Sequence, residues 1–188
     1  MRDATAEADF TRWARDRQGA LLRTAVLLTG DRQRAEDLVQ EALVVVASRW
    51  RSGSVEHPEA YARQVMVRRN VSWWRKHRRE VLRDPGGEHA HPADPVDRTG
   101  RAEDRMVLDA ALARLTPKQR AVVVLRYFDD LSERDTAAAL GVSPGTVKSQ
   151  THLAMRRLRE HLPDLSDRSD LLDADAPTAS SRTSGGGA

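Results

Sequence analysis

Apolar residues recur every three or four positions along most of the chain, the spacing of one buried face on an α-helix. Phe10, Trp13, Leu21, Leu22, Ala25 and Leu28 form the first stripe, predicting a helix or helix pair from Phe10 to Leu28. Thr29-Gly30-Asp31 interrupts it: Gly30 suits a helix end, and Asp31 can cap the next start. Ala35, Leu38, Val39, Ala42, Val45 and Val46 make the second stripe, which carries a helix to about Trp50. Arg51 to Pro58 reads as a loop, and a third helix runs from Glu59 to about Glu80. The β-branched runs Val44–Val46 and Val122–Val124 lie inside helical patterns, so the expected class is all-α.

The periodicity stops at Val81–Gly100, where Pro85, Pro92, Pro95 and Gly86-Gly87 break every helical pattern. Asp84, Glu88, Asp94 and Asp97 make this stretch locally acidic, a flexible tether. His89 and His91 lie in it and read as solvated side chains, not metal ligands. The pattern resumes with Met106, Val107, Ala110, Ala111 and Leu115. Thr116-Pro117-Lys118-Gln119 restarts a helix, with Thr as cap, Pro at the first position and Gln at the capping-box position. After Pro163 come Asp164, Asp167, Asp170, Asp173 and Asp175, then Ser, Thr and Gly, a composition that favours disorder. The expected organisation is a flexible residue 1–9 segment and a helical domain over 10–80. A linker over 81–100, a second helical domain over 101–162 and a disordered tail over 163–188 follow.

The most informative stretch is Leu131–Leu162. Ser132 can cap a short helix, with Asp135 three residues on for a capping box. Ala137, Ala138 and Leu140 are its apolar supply, and Gly141 stands where a turn needs positive φ. Ser143 caps again, and Pro144 takes the first helical position. Val147, Ala154, Leu158 and Leu162 line one side of the second helix. Lys148, Ser149, Gln150, His152, Arg156, Arg157 and Arg159 occupy the other, with no acid before Glu160. These are the requirements of a helix-turn-helix whose second helix enters the DNA major groove. An ordinary helical hairpin with a solvated basic face is the plainer alternative.

Composition narrows the setting. The 188 residues carry a net charge of +3, and basic residues include 28 Arg and 3 Lys. Arg suits phosphate and base edges through its planar fork. The absence of Cys removes disulfides, thiolate metal sites and Cys nucleophiles. No apolar run approaches the roughly 20 residues of a membrane span, and MRDATAEADF has no signal-peptide core. A cytoplasmic, nucleic-acid-facing protein without membrane insertion, cofactor or metal is expected.

Two further constellations stand out. Tyr61–Arg79 holds Arg63, Arg68, Arg69, Arg75, Lys76, Arg78 and Arg79 and no acid. Like charges at helical spacing repel, so an uncompensated run points to a polyanion partner. Trp73 and Trp74 lie within it, turned about 100° from each other. Either an aromatic there stacks on bases of opened DNA, or one Trp is core and the other a flank under Arg stems. Ala35–Glu41 places Asp37 and Glu41 one turn apart beside Glu36, a face that is solvated, neutralised by Arg32 and Arg34, or meets a basic protein surface. Without a nearby His or Cys it is a poor catalytic site.

AEDLVQEAL followed by RRNVSWWRKHRR resembles region 2 of bacterial sigma factors. LARLTPKQRAVVVLRYFDDLSERDTAAALGVSPGTVKSQ resembles region 4. The lack of a substantial domain between them is similar to the extracytoplasmic-function (group IV) class, and the paired Trp to its SigE-type actinobacterial subgroup. The resemblance implies a non-enzymatic promoter-specificity subunit. Asp37, Leu38, Gln40 and Glu41 would dock on the β′ clamp helices of core RNA polymerase, with the β subunit as a further contact. Arg63, Arg68, Asn70, Trp74, Arg75, Arg78 and the Ser52–Pro58 loop would read and open the −10 element, with Trp73 packing inward. Thr146, Lys148, Ser149, Gln150, His152 and Arg156 would read the −35 element. An anti-sigma protein would hold the factor inactive. The alternatives are a free-standing helix-turn-helix regulator, which needs a sensing domain, and a DNA-processing enzyme, which needs a nucleophile or carboxylate metal cluster.

Overall fold

The computed structural model describes residues 2–83 and 100–161. The linker core and the tail lie outside the described residues, as do His89 and His91. Seven α-helices follow in order: α1 (Arg2–Thr29), α2 (Arg32–Arg51), α3 (Pro58–Arg83), α4 (Gly100–Ala113), α5 (Pro117–Val123), α6 (Glu133–Leu140) and α7 (Pro144–His161). A π-helical turn, Val124–Phe128, extends α5. The all-α expectation holds among the described residues.

The helix boundaries follow the local chemistry. Asp31 Oδ1 accepts the Arg34 amide at 2.6 Å, while Gly30 turns the chain at φ 76°. Thr116 and Gln119 form the full reciprocal capping box. Ser132 caps α6, but the Asp135 carboxylate accepts from the Ser132 hydroxyl at 2.6 Å instead of closing the box on the backbone. Gly141 sits at φ 67° between α6 and α7.

Several boundaries and faces differ from the periodic reading. Helix α1 begins at Arg2, so residues 2–9 are helical, not a flexible lead-in. Ala4, Ala6 and Ala8 supply helix propensity without a hydrophobic stripe. Helix α3 extends to Arg83 and α4 starts at Gly100, trimming the expected linker at both ends. Leu43, not Val45, completes the buried face of α2, and Ala139 replaces Ala138 in α6. In α4, Met106 and Val107 are exposed and Leu112, outside the expected set, is buried, while Ala111 and, just past the helix, Leu115 are buried as expected.

The N-terminal half is a three-helix layer: α2 and α3 pack on α1 around Leu21, Leu28, Val39, Val46 and Met66. Phe10, Trp13 and Trp50 form an aromatic cluster at one end, with ring centroids 5.4 to 5.8 Å apart. In the C-terminal half, Leu112, Leu115, Val123 and Ala154 make one core, and Val122, Ala137 and Val147 seat α7 on α5 and α6. The halves are not separate bodies. Ala121, Val124, Leu125 and Ala139 from the second half join the main core of the first.

Candidate nucleic-acid and polymerase interfaces

Helix α7 presents Thr146, Lys148, Ser149, His152 and Arg156 on its exposed face, while Val147 and Ala154 fix the opposite side. Ser143 holds the start of the helix: its Oγ accepts the Thr146 amide at 3.2 Å and lies 2.9 Å from the Thr146 hydroxyl. Arg156 lies 3.7 Å from Glu160 one turn on. Gln150 is half-buried, because it lines a cleft of about 230 Å³ shared with α3.

Helix α3 supplies the other wall of that cleft through Arg68, Val71 and Arg75. Arg68 and Arg75 are exposed. Arg63 is held between acids, with Glu59 at 2.7 Å and Asp129 at 3.1 Å, and its side chain is only 19% exposed. Arg69 meets Glu41 of α2 at 2.6 Å. The preceding loop is compact: Ser52 and Ser54 share a hydrogen bond of 2.7 Å, and Gly53 turns at φ 65°.

Near the middle of α3, Asn70 is 1% exposed. Its Nδ2 donates to the Leu28 carbonyl at 3.1 Å, and its Oδ1 accepts from Arg34 Nη2 at 3.1 Å. The Arg34 guanidinium lies 3.3 Å from the centre of the Trp73 ring, and His77 stacks on Trp73 at 4.5 Å and 14°. Burial lowers the pKa of Arg34, while Glu41, Asp31 and Asp37 oppose that shift. Trp74 stands edge-on to Trp73, with centroids 5.1 Å apart.

On α2, Asp37, Gln40 and Glu41 are exposed at i, i+3 and i+4, and Val44, 69% exposed, continues their line. No group of His, Cys, Asp and Glu able to hold a metal occurs among the described residues. None of the described helices is long and apolar enough to cross a membrane.

Residues 13–80 match the family Sigma-70 region 2, and residues 105–158 match Sigma-70, region 4. The RNA polymerase sigma-E factor of Streptomyces avermitilis is 43% identical over 155 residues, 82% of this chain and 85% of that protein. The ECF RNA polymerase sigma factor SigL of Mycobacterium tuberculosis is 36% identical over 174 residues, 86% of this chain and 94% of the relative. This chain belongs to the extracytoplasmic-function sigma factors, of the SigE type. Among solved structures, the sigma factor RpoE from Bartonella quintana, in complex with the anti-sigma factor NepR, superposes with a TM-score of 0.64. It is 28% identical, and the match covers 82% of this chain and 97% of that one.

The structure sorts the sigma factor's expected site residues. Asp37, Gln40 and Glu41 share one exposed face, but Leu38 points into the core at 4% exposure. There it holds α2 to its neighbours. Asn70 is buried, and both its amide atoms serve the joint of α1, α2 and α3. Trp73 is half-buried, between the Arg34 guanidinium and the His77 ring and outside the apolar core. Trp74 is half-buried rather than fully exposed. The side chain of Arg78 lies outside the described residues. Sequence reasoning saw Arg34 only as a neutraliser of the acidic face, one turn before Asp37 and two before Glu41, and missed its place on Trp73 and Asn70.

Proposed function

We propose that this sigma factor joins core RNA polymerase through the Asp37, Gln40 and Glu41 face, with Val44 as its apolar centre, against the β′ clamp helices. The β subunit then receives the second half. Acids flanking an exposed apolar residue suit a basic partner helix pair, because charge steers the encounter and the apolar residue supplies burial. Helix α7 reads the −35 element: Lys148 and Arg156 hold phosphate, and Thr146, Ser149, Gln150 and His152 reach base edges. Arg68, Arg75 and Arg78 of α3 hold the −10 strand, Arg63 joins them once released from its acids, and Trp74 offers the stacking surface for opened bases.

The observation that carries this reading is the α7 face, exposed along its reading side and free of acid before Glu160. The factor contributes no catalysis of its own and works in the cytoplasm, where polymerase and promoter DNA are. An anti-sigma protein holds it inactive; the RpoE relative crystallised with NepR supports that control. Run-off transcription with purified core polymerase tests the whole reading. A promoter-length transcript that requires the protein is expected, and none from any template of a genomic promoter library would refute it.

A further inference from the structure

We propose that Arg34 is a positioning residue for promoter melting: stacked on Trp73, it fixes the ring that holds Trp74 ready for opened −10 bases, a role that rests on reading Trp74 as the stacking surface. The two tryptophans adjoin in sequence but differ in surroundings. Trp73 is covered on both faces. The Arg34 guanidinium carbon lies 3.3 Å from its ring centre, and the His77 ring lies nearly parallel to it, 4.5 Å away at 14°. Two planar groups at van der Waals distance would overlap on one side of an indole, so they take opposite sides. Neither face of Trp73 is left for a base.

Trp74 meets Trp73 and His77 edge-on, with ring centroids 5.1 and 6.3 Å away. Among the described residues no ring or cation stacks on its faces. Trp74 is therefore the ring available to a base, and Trp73 is the strut beside it. Edge-to-face contacts are directional, so a turn of the Trp73 ring would move the surface that Trp74 presents.

His77 lies one turn along α3 from Trp73 and travels with that helix. Arg34 is the contact that ties the ring to α2. Its own amide is held by Asp31 Oδ1 at the helix cap, and its Nη2 donates to Asn70 Oδ1 at 3.1 Å. Asn70 in turn donates to the Leu28 carbonyl at 3.1 Å, so the guanidinium plane is set from α1, α2 and α3 together. The arrangement has a cost: Arg34 Nε is buried without a hydrogen-bond partner. An apolar side chain would fill the same space without that cost. It could not supply a flat, hydrogen-bonded plane against the indole, and neither could the point charge of Lys.

Arg34→Met keeps the stem against the ring, Arg34→Lys keeps the charge, and both lose the plane. Each full-length variant is compared with wild type on core polymerase, using a duplex promoter and the same promoter with unpaired −10 bases. Both variants should fold, bind polymerase and form closed complexes as wild type does. Permanganate-reactive open complex on the duplex should fall about tenfold, within the range for one lost base–aromatic stack, and the unpaired template should recover most of it. In a Trp74→Ala background, Arg34→Met should add no further loss, because a residue acting through Trp74 has nothing left to position. Unchanged melting in both variants, equal loss on both templates, a full additional loss in the Trp74→Ala background, or unfolding of both variants would overturn the positioning role alone. Wild-type melting by Trp74→Ala would overturn the reading of Trp74 and the inference with it.

Discussion

Arg120→Met tests the packing between the halves most narrowly. Arg120 is 7% exposed, donates to Leu27 near the C-terminal end of α1, and leaves its Nη2 without a hydrogen-bond partner. Burial pulls its pKa down to about 10, with Asp109 opposing the shift. A base with a lowered folded pKa is destabilising wherever it is charged in both states, so at pH 7 the whole cost applies. Stability recovers with rising pH only above about pH 10. That shift corresponds to roughly 3 kcal/mol. Against it stand a charge-assisted hydrogen bond and the pull of the helix end, together about 2 to 3 kcal/mol. Met keeps most of the stem and removes both terms, so Arg120→Met should fall within about 1 kcal/mol of wild type. Arg120→Ala also empties the stem's space and should cost about 2 to 3 kcal/mol. Urea unfolding at pH 7, followed by circular dichroism, reads both. A loss above about 3 kcal/mol for Arg120→Met would refute the reasoning, because the charge would then be a net anchor.

Reversing Asp37 and Glu41 to Lys should cost at most about 1 to 2 kcal/mol of folding, since the Glu41–Arg69 pair is half exposed, yet abolish pull-down of core polymerase. Gln150→Ala should change the preferred −35 sequence at one or two positions, whereas Lys148→Ala should weaken all sequences alike, as promoter selection would show. Gly141→Ala should destabilise the second half by about 1 to 2 kcal/mol, because φ 67° disfavours a Cβ that would also sit 3.2 Å from the Arg68 guanidinium; thermal unfolding measures it. Trp74→Ala should leave closed complexes intact and reduce permanganate reactivity of the −10 strand, while Trp73→Ala should lower the stability of the N-terminal half.

What the sequence made legible was local. Asp31, Thr116, Ser132 and Ser143 cap helices because each acts within a few residues of itself. Gly30 and Gly141 end helices for the same reason. Faces were less secure. A stripe shifted by one position turns about 100°, which is how Met106 and Val107 of α4 came out exposed and Leu112 buried. The cross-braces were not legible at all. Asn70 meets a carbonyl 42 residues away and Arg34 an amide 36 away, and no periodicity encodes such partners.

The basic run on α3 shows how this limit bears on function. In sequence its charges have no acid among them, and mutual repulsion points to a polyanion. In the fold, Arg63 meets Glu59 and Asp129, and Arg69 meets Glu41. All three partners lie outside the run, Glu59 just before it on α3, Glu41 on α2 and Asp129 in the second half, where a scan of the run cannot see them. The repulsion argument therefore bears most on Arg68 and Arg75, which are exposed on the face that carries Gln150 across the cleft. A nucleic-acid face is defined by the charges that folding leaves without acids, and here those charges converge where the two reading helices meet.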